Sequence, residues 1–351
     1  MKQQIQIGNR IIGPGQPAYI IAEMSANHAG SIDRAIEIIH AAKRAGADCL
    51  KIQTYTPDTI TMDCDNEYFH ISDGTWKGEN LYSLYGKAYT PWEWQPILAK
   101  EAKKVGIDFL STPFDTTAVD FLESPEIDMQ FYKIASFELV DIPLIKYVAR
   151  TGKPIIMSTG MATKEEIQEA VDAVSQTGNE QLILLKCSSA YPANPAQMNL
   201  STIPDLAKEF GVPVGLSDHS MGHLSAVMSV TLGGCVIEKH FCLGRDIENP
   251  DASFSMTPEE FSEMVRNVRD AEAAIGKPFY GPMEMEMSNY RFRRSIFVSE
   301  DIKAGDVISE ANIRIIRPSE GLKPKYYEEV LGKRAKTDIS RGTPLSFDLV
   351  D

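Results

Sequence analysis

This sequence has no apolar run approaching the ~18 residues that span a bilayer, so nothing in it reads as a membrane anchor. Cysteine is scarce: five residues, an odd number, with no CxxC spacing. Such cysteines read as free thiols in a reducing compartment, not as a disulfide framework or a zinc knuckle. Positive charge is also in short supply, with 35 Lys and Arg against 49 Asp and Glu, a formal net charge of -14 and a pI of about 5.0. No basic field exists to attract a phosphate backbone or an anionic leaflet, which argues against nucleic acid and membrane as partners. The early glycine-rich phosphate loop of a doubly wound dinucleotide fold is missing as well. The amino terminus, MKQQIQIGNRIIGPG, lacks the basic-then-apolar signature of an export signal. A cytoplasmic location is the expectation.

What is present is rhythm. After a short alternating stretch, QIQIGNRII, which reads as a hairpin turning at Gly8–Asn9, a pattern recurs eight times. Each unit is an apolar β-rich run, a polar or glycine-containing end, then a helical stretch. The strand candidates are AYIIAEMSA, DCLKIQTY, DFLSTPF, FYKIASF, PIIMSTG, LILLKCSS, VPVGLSDH and CVIEKHF. Helical periodicity fits 31–46, 92–105, 116–124, 141–151, 163–177, 200–210, 222–233 and 257–275. Eight such units over roughly 250 residues predict a closed (β/α)8 TIM barrel across residues 1–276. Residues 57–90 interrupt the rhythm with an aromatic insertion holding Trp76, Tyr82, Tyr85 and Tyr89, which reads either as a lid or as packing over the rim. Beyond 276 the composition shifts. Residues 277–292, with two prolines and three methionines, read as a linker, and 293–351 read as a small, mostly β domain.

Barrel enzymes build their sites at the carboxyl ends of the strands. Collected there are Glu23, Ser25, Asn27 and His28, then Lys51 and Gln53, Ser111 and Thr112, and Lys133, Ser136 and Glu138. Further round come Ser158 and Thr159, Lys186, Ser188, Ser189 and Tyr191, Ser217, Asp218 and His219, and Glu238, Lys239, His240 and Asp251. Lysine inside an apolar strand is costly unless it is paired or holds an anion. Four strands carry one (Lys51, Lys133, Lys186, Lys239), and with the row of hydroxyls they predict a pocket for phosphate and carboxylate. Glu23 and Glu138 are candidate counter-ions or acid/base groups. His219 and His240 end adjacent strands. Singly each serves as a strand-end cap, but as a matched pair they read as half of a metal site completed by carboxylates, water or substrate. Two chemistries fit: a Schiff base on Lys186, or a divalent metal on the histidine pair that polarises an aldehyde. The histidine pair favours the second. His28 and His223 are further histidines within reach of such a site.

The strings IIAEMSANHAGS, AGADCLKIQTY, FLSTPFD, YKIASFE, KPIIMSTGM, LLKCSSAYP, VGLSDHS and EKHF, eight collinear motifs, resemble the sialic acid synthase family. Those enzymes condense phosphoenolpyruvate with an amino-sugar aldehyde. KAGDVI, IIRP and RGTPL resemble the antifreeze-like (SAF) domain that the family carries. Within the family, EMSANHAG, QTYTPDTIT, LYGKAYTPWEW and KCSSAYP are most similar to the pseudaminic-acid-forming branch, whose sugar is 2,4-diacetamido-2,4,6-trideoxy-L-altrose. N-acetylneuraminate and legionaminate formation are the alternatives, and a non-catalytic carbohydrate- or ice-binding role is the alternative of a different class. The resemblance implies a divalent metal, manganese with magnesium or cobalt as alternatives, on His219 and His240. It implies phosphoenolpyruvate on Lys51, Thr112, Lys133, Ser136, Ser158, Ser189 and Ser217. Lys186 and Ser189 stand where the sialic acid enzymes have His and Asn. The sugar falls to Glu23, Gln53, Tyr191, Asp251 and, in the domain-swapped homodimer that the resemblance implies, to Arg317 of a partner copy. Glu138 is the candidate for managing the attacking water.

Overall fold

Short runs rich in Ile, Leu and Val alternate with amphipathic helices, and the only way for both to bury their apolar faces is a parallel sheet sheathed in helix. The computed structural model describes residues 1–351. A hairpin of β1 (Ile5–Ile7) and β2 (Arg10–Ile12) comes first, paired antiparallel with Ile5 opposite Ile12. Eight strands then follow: β3 (Tyr19–Glu23), β4 (Cys49–Thr54), β5 (Asp108–Pro113), β6 (Tyr132–Ile134), β7 (Ile155–Ser158), β8 (Leu182–Cys187), β9 (Val214–Asp218) and β10 (Val236–His240). All neighbouring pairs are parallel, and β10 bonds to both β9 and β3, closing the ring in sequence order. The eight-unit expectation of a (β/α)8 barrel holds.

The helices fall within a few residues of the periodic segments, at Ile32–Arg44, Gln95–Val105, Thr116–Leu122, Ile142–Ala149, Lys164–Ser175, Thr202–Phe210, Leu224–Thr231 and Pro258–Ile275. Their starts are set by local chemistry. Thr163 with Glu166, and Thr257 with Glu260, form reciprocal capping boxes, while Ser31, Asp115 and Asp141 accept backbone N–H bonds at their own helix starts. The 92–105 segment begins instead as a 3-10 turn at Trp92–Trp94 before the α-helix takes over.

Alternation along each strand sends one set of side chains outward to the helices and the other into the lumen. Tyr19, Ile21, Cys49, Leu110, Phe131, Ile156, Ile183, Leu185 and Val236 form an inner cluster joined by Ile5, Ile7 and Ile12 of the hairpin. The hairpin therefore plugs the amino-terminal end of the barrel with three isoleucines, giving the lumen an apolar floor. Leu216, Leu184, Ile134 and Met157 face outward to one half of the helical layer, and Ile20, Leu50, Ile52 and Ile237 to the other.

The chain divides into two compact units, Met1–Gly276 and Lys277–Asp351. In the second, β11 (Ser295–Val298) pairs antiparallel with β12 (Ile313–Ile316), and isolated bridges such as Ile302 to Ile339 knit the turns together. The two similar phrases DIKAGDVI and DISRGTPL meet at that bridge. The Lys303 ammonium binds Asp338, and the Arg341 amide donates to Asp301. Ile296, Val298, Ile308, Ile313, Val330 and Leu345 form this unit's own small core.

Gly215, on β9, leaves no room for a side chain: a Cβ there would lie 2.2 Å from the Val236 carbonyl oxygen and 2.8 Å from a Leu185 methyl. Gly215→Ala is therefore expected to destabilise the barrel by about 3 kcal/mol, the upper range for overpacking. Thermal unfolding checks this, because a change of less than one degree in Tm would mean that β9 and β10 part at negligible cost.

Candidate active site

The inward-facing set changes character at the carboxyl ends of the strands. Above the apolar floor, Lys51 on β4 places its ammonium 2.9 Å from Glu23 on β3 and 2.9 Å from Glu238 on β10. Ser217 donates to Glu238 at 3.4 Å, and Gln53 donates to Glu23 at 3.0 Å and to Ser25 at 3.1 Å. All three charged groups of this hub are buried. Burial pulls the Lys51 ammonium toward its neutral form, but the two carboxylates outweigh it and hold the lysine above its ordinary range. Burial likewise raises Glu23. It would raise Glu238 too, but Lys133 and Lys51 outweigh it and keep that carboxylate ionised.

Lys133 on β6 is differently placed. Its ammonium donates to Ser158 at 2.6 Å and to the Ile134 carbonyl at 3.0 Å, while the nearest carboxylate oxygen, on Glu238, stands 3.9 Å away. Burial lowers its pKa. A buried cation without a close counter-ion is a site waiting for an anion. Around it stand hydroxyls: Ser158, Thr112 (whose buried Oγ1 has no partner), Ser136 and Ser189. Ser136 accepts the Gly160 N–H at 3.0 Å. A Cβ at residue 160 would come within 2.2 Å of the Ser189 Oγ and 2.7 Å of the Ser136 Oγ, so glycine leaves room for both hydroxyls over this backbone.

The histidine pair sits beside the cup. The rings of His219 and His240 lie 5.4 Å apart, with Tyr191 4.2 Å from His219 and Phe254 5.0 Å from His240. His219 donates from Nδ1 to the Ser188 carbonyl at 2.9 Å, which orients the ring; burial is outweighed by the Cys187 thiol, so the ring sits above its ordinary pKa and Nε2 becomes a ligand atom on losing its proton. His240 is held well below its ordinary pKa, first by burial and then by the neighbouring cations, so it is a neutral imidazole; its Nδ1 is buried with no partner. These features fit a divalent metal. No group of three or more His, Cys, Asp or Glu side chains is arranged to hold one, so carboxylates do not complete the site and the remaining positions would fall to water and substrate.

Two expectations need correction. Lys186 and Lys239 do not line the cup. On β8, Leu185 and Cys187 face inward, so Lys186 faces out, half-buried, with its ammonium on the Cys187 carbonyl. On β10, Glu238 and His240 face inward, and Lys239 is buried on the other side in an ion pair with Asp218 at 2.7 Å, also donating to the Ser220 carbonyl. The four-lysine pocket is a two-lysine pocket, and the Schiff base on Lys186 has no site. Ser111 is also turned outward, hydrogen bonded to Thr54. His28 is committed to an edge-on contact with Trp94 and accepts the Gly30 N–H, and His223 precedes the helix Leu224–Thr231. Asp251 is buried and accepts the Ala26 N–H at 3.1 Å. Arg317 lies just after β12, in the second unit.

Cys187 and Phe254 stand out only in the structure, and Glu238, already among the strand-end residues, gains a definite place there. Glu238 completes the ion hub. Cys187 lies 3.8 Å from both His219 and Ser189; burial raises its thiol, but hydrogen bonds to His219, Ser136 and Ser189 win and bring it to about 7. Phe254 backs the second histidine.

Residues 38–280 match the NeuB family, and residues 293–351 match the SAF domain. The chain belongs to the NeuB family. Among its members, the pseudaminic acid synthase of Campylobacter jejuni (serotype O:23/36, strain 81-176) is 47% identical over 97% of this chain and 98% of the relative. An N,N'-diacetyllegionaminic acid synthase of Legionella pneumophila is 34% identical over 97% and 96%. The structure of an N-acetylneuraminic acid synthetase from Leptospira borgpetersenii, in complex with citrate, is similar with a TM-score of 0.72 and 30% identity, covering 82% of this chain and 95% of that one. NeuB-family membership accounts for the barrel followed by the SAF unit, and no helix is long and apolar enough to cross a membrane.

Glu138, in the turn after β6, has a carboxyl pushed up to about 7 by burial, with Lys133 pulling the other way. If it takes a proton from water it must be ionised, so activity rises as pH passes upward through about 7. Glu138→Gln should lower kcat by about two to four orders of magnitude and flatten that limb. An unchanged pH profile in the variant would remove Glu138 from the chemistry.

Proposed function

We propose that this chain condenses phosphoenolpyruvate with 2,4-diacetamido-2,4,6-trideoxy-L-altrose, giving pseudaminic acid and inorganic phosphate. The observation that carries the reading is the buried, under-compensated Lys133 ammonium, bonded to Ser158 and with its nearest carboxylate oxygen 3.9 Å away on Glu238, which also binds Lys51. A small, multiply charged anion is what such a cup holds. The choice of sugar follows the higher identity to a pseudaminic acid synthase than to a legionaminic acid synthase.

Phosphoenolpyruvate lies against Lys51, Thr112, Lys133, Ser136, Ser158, Ser189 and Ser217. The sugar lies against Glu23, Gln53, Tyr191 and Asp251 and, in a domain-swapped homodimer, against Arg317 of a partner copy. His219 and His240 hold a divalent ion, manganese by preference, whose contribution is to draw charge from the aldehyde oxygen. Carbon three of phosphoenolpyruvate bonds to the aldehyde carbon, whose oxygen takes a proton and becomes a hydroxyl. Carbon two is left electron-poor. Glu138 stabilises that charge and accepts a proton from the water that adds there. The C–O bond to phosphate then breaks, the bridging oxygen departs with phosphorus and takes up the proton of the new C2 hydroxyl, whose oxygen becomes the keto oxygen of the product. Lys133 and the hydroxyl row stay with the phosphate throughout, so the negative charge that the neighbouring side chains do not give Lys133 comes with substrate and leaves with product. The reaction belongs in the cytoplasm, where phosphoenolpyruvate is available.

Phosphate release from the two substrates tests the reading. It should stop with chelator, return with manganese, and fall by at least about a hundredfold in His240→Ala, since one ligand of two is lost. Chelator-resistant release would sink the metal assignment, and bridging-oxygen label retained in the sugar acid would sink the C–O cleavage. Lys133→Met should raise the KM for phosphoenolpyruvate by about a hundredfold, corresponding to the 2–5 kcal/mol of a lost buried charge contact; an unaltered KM would move the anion elsewhere.

A further inference from the structure

The ring order of the barrel decides where the 57–90 insertion goes. It is rooted on β4, and β8 lies four strands away in a ring of eight, on the opposite side. Yet the tip of the insertion touches the loop after β8: the Thr75 hydroxyl donates to the Tyr191 carbonyl, and the Trp76 ring sits 5.4 Å from the Tyr191 ring. It also touches the loop after β10, where the Trp76 indole N–H donates to the Pro250 carbonyl at 3.1 Å. A segment anchored on one side and bonded to the other crosses the mouth. The tip is a closed turn, with His70 bridged to Asn80 and the Gly78 N–H bonded to the Ile71 carbonyl at 2.8 Å. The insertion is a cover and not a rim.

We propose that Trp76 is a specificity-determining residue that recognises the non-reacting end of the sugar by its apolar C6 methyl group. The proposal rests on the reaction assigned above. Trp76 packs on Tyr191 and bonds to the residue preceding Asp251, so it joins the two elements that carry the sugar contacts outside the ion hub. Tyr191 lies between it and His219, with rings at 5.4 Å and 4.2 Å. An aldehyde at the histidine pair therefore sends its chain outward past Tyr191 to the indole. Trp76 itself has no polar group left: its indole N–H is spent on Pro250, and the neighbouring Thr75 hydroxyl is spent on Tyr191. What remains for substrate is an aromatic face with no free donor, which favours a methyl and leaves a hydroxymethyl unsatisfied.

The test uses the full-length protein, phosphoenolpyruvate and two sugars that differ only at C6, the 6-deoxy diacetamido sugar and its 6-hydroxy counterpart, with phosphate release as the readout. The wild type should prefer the deoxy sugar by at least about tenfold in kcat/KM, the value of one apolar group in a pocket. Trp76→Ala should lower kcat/KM for the deoxy sugar by about ten- to a hundredfold through sugar KM and shrink the preference to about threefold or less, with the phosphoenolpyruvate KM unchanged. Trp76→Phe keeps a ring and loses the Pro250 bond, and should retain most of the preference. An undiminished preference in Trp76→Ala overturns the assignment, as does a lost preference in a folded Trp76→Phe. A wild type that prefers the hydroxy sugar overturns instead the identity of the substrate.

Discussion

Everything at the mouth of this barrel is arranged around one ammonium group. Lys51 is buried in the lumen, and two carboxylates from the strands on either side of the closure, Glu23 and Glu238, reach it at equal distance. Such a triad is no stabiliser in itself, since each ion costs several kcal/mol to bring out of water. What it fixes is orientation. β10 and β3 are the last and first strands to be laid down, and the shared lysine ties their ends together with His240 directly opposite Glu23 in the register. Because Lys51 is already held by two carboxylates at 2.9 Å, the other lumen lysine, 3.9 Å from its nearest carboxylate oxygen, is the one short of negative charge, and that asymmetry is the ground for proposing Lys133 as the anion contact. One salt-bridged lysine thereby defines the role of its neighbour.

Much of this was legible in the residue order. Strand and helix alternation counted the barrel, the helix starts were marked by Thr163 and Thr257 with their glutamates, and Lys51 with Gln53 announced an inward face two residues apart. The faces of the later strands were not legible. Parallel strands in a sheathed barrel are apolar on both sides, so LILLKCSS reads as a continuous run with no phase, and a lysine in it looks inward by default. One step of register decides whether residue 186 or residue 187 meets the substrate, and only the pairing of Lys186 with Leu216 settles it. Lys239 misled for the same reason. It is a buried ion-paired lysine as expected, but its partner Asp218 lies in the wall between barrel and helices.

The insertion shows a different limit. Its aromatic content was plain, but a lid and a packed rim have the same composition. The distinction lies in which strands stand opposite one another, a property of closure that no local pattern encodes. Once β4 and β8 are known to be diametric, two hydrogen bonds from Thr75 and Trp76 suffice to place the tip over the mouth.

Seen by depth, the lumen runs from the isoleucine plug through the ion hub and the hydroxyl row to the imidazoles, and is closed by Tyr191, Phe254 and Trp76. Polarity rises and then falls again. The charged layer is thus sandwiched between two apolar plates, which lowers the effective dielectric around every group in it and strengthens each contact to a charged substrate. It also limits water to what the polar layer itself admits. A reaction that needs one water added at a single carbon, and none at the aldehyde, is served by that layering, because the aromatic plate backs the histidines while Glu138 and the hydroxyls flank the anion side. The plate over the histidines and the ions below it therefore divide the work: the charged layer lies deep enough between the strands that Lys51 and Lys133 are buried by the barrel itself, and the cover acts on what passes the imidazoles.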